Sequence, residues 1–495
     1  MEYVIGVDFG TLSCRAVLVD RDGQLIQSGM MEYPHGVIAT ARNGARQEPA
    51  DYLMTMEYAV RKAARGYETR VVGIGVDFTS CTVLPVDEGF QALGQARLWK
   101  SHSAEDQSVR ITALCGELGI DLTDQGGVVR SEMMLPKLLE LKETEPEIYE
   151  KTASFVEAGD WIAWLLTGQK VRSTNMAGFK GLWRGDWPRE LLQRLDLDEQ
   201  LFEGAVAPAG ALAGTLQPAW AERLNLPRGI AVAVSIIDAH ATVFAAGLSG
   251  DAEMTLTLGT SGSYLTLSGE DAPVPGLLGK VKDGIFPGCY VYETGHSSLG
   301  DTFGWFMENC VPHSYYEASG GNVFGYLEQL AAGVRENSVW ALDWWNGNRS
   351  PYANPNLTGT IFGLGLQTRP EHIYRALLES TAFGIRHIVE LLEEGGIVIR
   401  KMYAGGGISK KNRLLMQILA DVLGREVYVM DREPASAVGA AVMAAAAAGL
   451  WESPQAAAKA MSRPAAVLYS PDPNADYEAA YSRYLKTAEY MAHQD

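Results

Sequence analysis

The sequence predicts an α/β protein of two lobes with a cleft between them, and three observations carry that reading. At 495 residues the chain exceeds the size at which one hydrophobic core keeps growing. A strand, a glycine turn and a returning strand occur near the N-terminus and again from Met254 to Leu267. In each half, helices with an apolar stripe accompany these strands, so each half is a sheet-plus-helix unit that must bury one face.

The first unit opens with apolar Tyr3 to Val7, the turn Asp8-Phe9-Gly10-Thr11-Leu12-Ser13, and apolar Ala16 to Val19. Arg21-Asp22-Gly23 then turns into Gln24 to Ser28, completing a three-strand meander. A helix is predicted from about Asp51, with Leu53, Met56, Val60 and Ala63 on one face. Val71 to Phe78 is an apolar run suited to the centre of a sheet. The second unit repeats the order with Met254 to Leu258, Gly259-Thr260-Ser261-Gly262 and Tyr264 to Leu267. A helix from about Glu371, a strand at Met402 to Ala404 and the run Gly405-Gly406-Gly407 follow. The boundary is predicted near Gly247 to Asp251, giving domains 1–248 and 249–495. The stretch from Asn309 to Gly347 reads as an irregular insertion, and a closing helix is predicted over Tyr477 to Met491.

Composition narrows the function classes. A content of 47% hydrophobic and 20% charged residues is that of a globular chain, which excludes disorder. A net charge of −19 repels polyphosphate backbones and anionic lipid, so neither nucleic acid nor a membrane is an expected partner. A nucleotide remains compatible, since a few backbone N–H groups, a metal ion and one or two cations suffice to hold it. Cys14, Cys81, Cys115, Cys289 and Cys310 are odd in number and scattered, which predicts reduced packing residues rather than disulfides or a zinc site. Met1 to Val4 runs straight into a strand and the small-apolar run Val438 to Leu450 is too short to span a bilayer, so a cytoplasmic location is expected.

The motifs carry the chemistry. Asp8 to Arg15 combines a strand-end carboxylate, a glycine, two hydroxyls and an arginine, which are the parts phosphoryl transfer needs to hold hydrated Mg²⁺ and the β/γ-oxygens. Taken alone it is equally a hairpin with an Asx turn. Thr257 to Gly262 repeats the glycine–hydroxyl turn without the carboxylate, as a clasp for the triphosphate from the other lobe. Gly405-Gly406-Gly407 lets a flat base lie against the backbone, with Ser409 capping the next helix. Asp238 ends an apolar run, where it reads either as a general base or as the N-cap of a helix over Ala239 to Ala246. Glu293 offers a second carboxylate for sugar hydroxyls, although a strand-end Glu is usually just solvated. The stretches Leu98 to His102 and Ala177 to Trp183 place aromatic faces beside polar tips, as carbohydrate sites do, although core packing explains most of the 11 Trp. His102 and His240 lack a second ligand at metal spacing and are read as structural.

Together these residues resemble the FGGY family of carbohydrate kinases over nearly the whole chain. Further matching pieces are Pro136 to Lys142, Gly159-Asp160-Trp161, Leu166-Thr167-Gly168 and Gly359 to Leu364. Within the family, Leu98 to His102, Ala177 to Trp183, Asp343 to Arg349 and Asp77 to Thr82 are most similar to the branch that acts on L-ribulose. The resemblance implies the two-lobed fold of actin, hexokinase and the heat-shock ATPases, with ribonuclease H-like halves. It implies ATP-dependent phosphorylation of a ketopentose primary hydroxyl, L-ribulose to L-ribulose 5-phosphate in arabinose catabolism, with ATP and Mg²⁺. It gives Asp238 the catalytic role and Asp8 the metal, and assigns sugar contacts to Trp99, Lys180, Asp238 and Glu293. Nucleotide contacts fall to Gly10, Thr11, Ser13, Arg15, Gly259, Thr260, Ser261, Gly405, Gly406, Gly407 and Asn412, so that 1–248 is the sugar and metal side and 249–495 the nucleotide side. Leu12 departs from members that carry a hydroxyl there. Partners are the sugar and ATP, with a homodimer admitted. The alternatives left open are another substrate of the family, D-ribulose, xylulose or ribitol, and a non-kinase ATP-gated module on the same fold.

Overall fold

A computed structural model describes residues 1–250, 252–334, 336–463 and 467–493. By contacts the chain forms two units. The first is Met1–Asp251 with Lys280–Val291 and Arg432–Arg463; the second is Ala252–Gly279, Tyr292–Asp431 and Pro464–Asp495. A single cut after residue 248 therefore does not describe the packing, because two later segments return to the first unit. Asp251, at the end of the predicted boundary, lies outside the described residues.

In the first unit one sheet runs in the order Leu212–Thr215, Ala231–Ala233, Val71–Phe78, Tyr3–Phe9, Ser13–Asp20, Leu25–Glu32, with Ile236–Ile237 also pairing Val71–Phe78. Val71–Phe78 lies parallel to Tyr3–Phe9 and is buried on both faces, which is why it reads as a continuous apolar run. Helix Pro49–Ala64 starts with Pro at its first position and buries Tyr52, Met56, Ala59, Val60 and Ala63, a stripe at helical spacing. A second sheet joins Ile38–Thr40, Gly44–Gln47, Ala96–Arg97, Val83–Val86 and Ser154–Glu157.

The returning helix Ala435–Ala447 explains the unit's composition. It lies on the main sheet where Gly6 and Gly75 face each other in register, and a Cβ on either would overlap the carbonyl of Ala437 or Ala440. Its own Gly439 lies against the Ala241 carbonyl of helix Asp238–Ala245. The small-apolar run of the sequence is thus a buried packing helix. No helix among the described residues is long and apolar enough to cross a membrane.

The second unit has its own sheet, ordered Tyr290–His296, Gly262–Ser268, Glu253–Leu258, Lys401–Gly405, Val427–Val429, Val467–Tyr469. Helix Pro370–Glu394 packs with Arg413–Leu423 and Val323–Ala332. The segment expected to be irregular is ordered: helices His313–Ala318 and Val323–Ala332, then strand Trp340–Leu342 pairing Thr360–Phe362. The Asn322 side chain accepts from the Gly325 amide, and this cap starts the second of those helices.

Gly75→Ala should lower the melting temperature by the equivalent of about 1–3 kcal/mol, the usual cost of overpacking a tight interior. Gly116→Ala, in helix Glu105–Glu117 with open space at its Cβ, should leave stability unchanged or raise it by up to about 1 kcal/mol. Equal melting temperatures for the two variants by calorimetry would contradict the packing account.

Candidate active site

In the first unit, three carboxylates stand at the ends of adjacent strands. Asp8 and Asp77 are register partners, and Ile236–Ile237 pairs with Asp77 and Phe78 just before Asp238 begins its helix. Asp77 is fully buried, and neither carboxyl oxygen meets an N–H or hydroxyl donor among the described residues. Its polar neighbour is the carboxyl of Asp8, an arrangement that only a shared proton or a cation can satisfy. Burial raises the affinity of both groups for a proton; the Asp8 and Asp238 charges push Asp77 further, while Asp77 and Arg15 draw Asp8 back. Arg15 is the cross-strand partner of Asp8. No group of three metal-ligating side chains occurs among the described residues. The donor set fits Mg²⁺, which takes one or two carboxylates and fills its octahedron with phosphate oxygens and water.

Asp238 is the first helical residue, not the cap: Ile237 holds the cap position, and Asp238 Oδ1 accepts from the Ala239 amide at 2.7 Å. That bond aims the carboxylate. His240 is buried and bonded to Asn175 at 2.9 Å, with its ring edge-on to Phe179, a structural histidine as expected.

Of the predicted sugar residues of this unit, Trp99 meets the hairpin, at Thr11. Trp99 Nε1 donates to Thr11 Oγ1 at 3.2 Å, and Trp99 is 38% exposed. Gly10 donates its amide to the Ser13 carbonyl at 3.0 Å, which closes the turn. Lys180 ends helix Thr174–Lys180, buried, and its charge acts on Glu132, Cys81 and Glu157.

Several residues here escaped sequence reading as site components. Lys137 is fully buried and donates to the carbonyls of Cys81 and Leu98, both at 2.7 Å. It thereby joins the loop after Val71–Phe78 to the segment carrying Trp99. Burial lowers its proton affinity. Gln47 and Tyr52 hold Thr11 from behind. Asp77 offered one signal, a carboxylate as far along its strand as Asp8 is along its own.

The nucleotide-side residues lie in the second unit. Gly259 donates to the Ser261 carbonyl at 3.1 Å, and the Gly259 and Thr260 carbonyls accept from Gly300 and Leu299, where helix Gly300–Cys310 starts. Gly406 has φ +90° and its Cβ position would overlap the Leu258 carbonyl, so the two glycine motifs of this unit touch and only glycine fits. Gly407 has open space at its Cβ, while Gly405 faces Met430. Ser409 is not the expected cap: it donates to the Gly406 carbonyl within helix Gly407–Lys411. Asn412 caps Arg413–Leu423, accepting from Leu415 at 2.9 Å and donating to Tyr374 OH at 3.0 Å. Both ends of its amide are thus engaged inside the protein. Glu293 lies in Tyr290–His296, its carbonyl accepting from Leu278. Beneath the hairpin, Tyr264 OH meets His296 Nδ1 at 2.7 Å, His296 Nε2 lies 2.6 Å from Asp343, and Tyr484 OH donates to Asp343 at 2.6 Å. All five cysteines are free, three of them buried.

Comparison with known proteins shows the family. The pattern of the FGGY family of carbohydrate kinases, N-terminal domain, matches residues 3–245, and that of its C-terminal domain matches 254–448. The chain is 39% identical to proteins named ribulokinase from Geobacillus thermodenitrificans, covering 99% of this chain and 94% of the relative, and Halalkalibacterium halodurans, covering 99% and 95%. Among solved structures it resembles a xylulose kinase from Rhodospirillum rubrum, with TM-score 0.89 and 24% identity over 100% of both chains. A Plasmodium falciparum glycerol kinase with ADP gives TM-score 0.88 and 18% identity, over 100% of this chain and 99% of that one. The fold is the two-lobed one expected from actin and hexokinase.

Burial raises the Glu157 carboxyl from its ordinary 4.5 to about 8, with Asp160 adding to the rise and Lys137 opposing it. The folded chain holds this proton more tightly than the unfolded one, so its contribution to stability is complete below pH 4.5 and lost as pH rises through about 8. Glu157→Gln, neutral throughout, should match the parent below about pH 4 and exceed its stability increasingly up to about pH 8 in urea unfolding. Parallel profiles would show that Glu157 is not a buried, protonated acid.

Proposed function

The chain belongs to the FGGY family of carbohydrate kinases and is an ATP-dependent sugar kinase, and on that premise we propose that it phosphorylates the primary 5-hydroxyl of L-ribulose, giving L-ribulose 5-phosphate for arabinose catabolism. The observation that carries the substrate is the near-complete mutual coverage with relatives named ribulokinase. The solved xylulose and glycerol kinases share the fold at lower identity. Membership of the family sets aside the ATP-gated non-kinase reading.

In this proposal Asp238 takes the proton of the attacking hydroxyl. The Ala239 amide bond holds one carboxylate oxygen and so fixes the direction of the group. A carboxylate is too weak a base to ionise a sugar hydroxyl beforehand, so the proton moves late, as bonding to phosphorus develops. Asp8, with Asp77 beside it, would hold hydrated Mg²⁺, which supplies charge neutralisation to the phosphates when bound. Gly10, Thr11, Ser13 and Arg15 from the first unit, and Gly259, Thr260, Ser261 and Gly405 to Gly407 from the second, would take the nucleotide. Asn412 would act there through its cap on Arg413–Leu423. Trp99 and Lys180, with Glu293 from the second unit, would contact the sugar, the indole by stacking on its C–H face and the charged groups by hydrogen bonds.

A coupled ADP-release assay across L-ribulose, D-ribulose, xylulose, ribitol and glycerol should give the highest kcat/KM for L-ribulose. A tenfold or greater preference, about 1.4 kcal/mol, for another substrate would replace L-ribulose while leaving the family intact. Asp238→Asn keeps the acceptor for the Ala239 amide but cannot accept the proton, so kcat should fall at least about 100-fold with an unchanged melting temperature. Near-parental turnover would remove Asp238 from catalysis.

A further inference from the structure

Thr11 is gripped at two points by side chains attached to one small sheet. Gln47 Nε2 donates to the Thr11 carbonyl at 2.7 Å, and Trp99 Nε1 donates to the Thr11 hydroxyl at 3.2 Å. Gln47 is only 2% exposed, and its orientation is set from the other side: Tyr52 OH donates to Gln47 Oε1 at 2.8 Å. A hydroxyl proton on Oε1 leaves the amide only one way to face, with its N–H groups towards Thr11. Tyr52 is itself immobilised, fully buried and edge-on to Phe9, Phe78 and Tyr33.

The same strand that ends in Gln47 also carries the Trp99 segment. Gln47 pairs with Ala96, and the Leu98 amide donates to the Ala45 carbonyl at 3.0 Å. The connections close a ring: Thr11 to Gln47, along Gly44–Gln47 to Leu98, on to Trp99, and back to Thr11. A half-exposed indole held by a single hydrogen bond is the yielding member of that ring. A ligand stacked on the indole would still it, and a stilled indole holds the Thr11 hydroxyl in place.

We infer that Gln47 is a positioning residue for phosphoryl transfer, holding Thr11 for the nucleotide phosphates and making Thr11 and Trp99 respond as one body to sugar. The inference rests on the roles proposed above for Thr11 and Trp99. If Gln47 were only a structural anchor, its loss would lower stability and leave ligand coupling alone. If it positions, its loss must change nucleotide affinity and the dependence of that affinity on sugar.

The test is the affinity of the full chain for Mg·ADP by calorimetry, with and without saturating L-ribulose, for the parent, Gln47→Met, Trp99→Phe and the double variant. Met preserves length and removes the donor. Gln47→Met should weaken Mg·ADP binding by about two- to tenfold, the span of one net hydrogen bond, and shrink the sugar-dependent gain. The double variant should lose less than the product of the single losses, because both act through Thr11. Tyr52→Phe, which removes only the orienting hydroxyl, should shift affinity the same way by less and serves if Gln47→Met does not fold. Mg·ADP affinity within twofold of the parent in Tyr52→Phe and in any folded Gln47→Met, with the sugar-dependent gain intact, overturns the inference even if melting temperatures fall. Absence of any L-ribulose effect on the parent would count against the substrate reading, and the Mg·ADP arm alone would still decide whether Gln47 holds Thr11.

Discussion

The first unit depends on backbone approaching backbone. Helix Ala435–Ala447 can lie against the central strands only because Gly6 and Gly75, partners in register, present no Cβ to it. The contact is repeated on the helix's other side, where Gly439 admits the Ala241 carbonyl. Asp8 stands two residues beyond Gly6, Asp77 two beyond Gly75, and Asp238 begins the helix that contains Ala241. The three carboxylates are therefore placed by one set of glycine contacts. Interiors packed at crystal density transmit a displacement of this kind rather than absorb it, so the cost of an added methyl group reaches the acids as well as the core.

Burying ionisable groups this densely needs compensation, and the unit supplies it mainly through backbone carbonyls. Lys137 spends its charge on the Cys81 and Leu98 carbonyls, and Arg172 on those of Phe155, Leu201 and Glu203. Each cation ties together backbone from separate segments of the chain. Among the described residues Glu157 has no such donors, and desolvation outweighs the Lys137 and Lys180 charges near it, so it keeps its proton. At an effective dielectric constant of about 20, a charge 4 Å away contributes only about 4 kcal/mol, which leaves room for burial to prevail. A carbonyl cage thus stabilises a buried cation here more effectively than distant countercharge stabilises a buried acid.

What was legible in the sequence follows from what leaves a periodic trace. Strands such as Val71–Phe78 and the apolar stripe of Pro49–Ala64 announce themselves by burial pattern, and Asp8 and Asp238 by standing where apolar runs stop. The return of Arg432–Arg463 to the first unit was not legible, because an alanine-rich helix buried all round has no stripe, and glycine contacts have no period. Gln47 was hidden for another reason: a polar residue before a helix-starting proline is ordinary in sequence, and its importance comes from Thr11, 36 positions away. Local chemistry was misjudged at Ser409, read as the cap of the next helix. Asn412 has the free geometry to accept from Leu415, whereas Ser409 is already inside a helical turn.

The two units also show which part of the hairpin architecture is general and which is specific. In both, a strand, a tight glycine turn and a returning strand sit beside a parallel partner. In the first, the paired positions one residue before the end of the leading strand are Asp8 and Asp77; in the second, they are Thr257 and Gly405. The scaffold is repeated but the acid pair is not. A second acid pair at such positions would carry the same cost of burial and mutual repulsion that Asp77 carries beside Asp8. Gly406, one residue beyond that position, instead lets the second unit bring its two turns into contact, while Gly405 faces the Met430 side chain. The same scaffold thus carries an acid pair at this position in one unit and, in the other, a backbone contact made one residue beyond it, where only glycine fits.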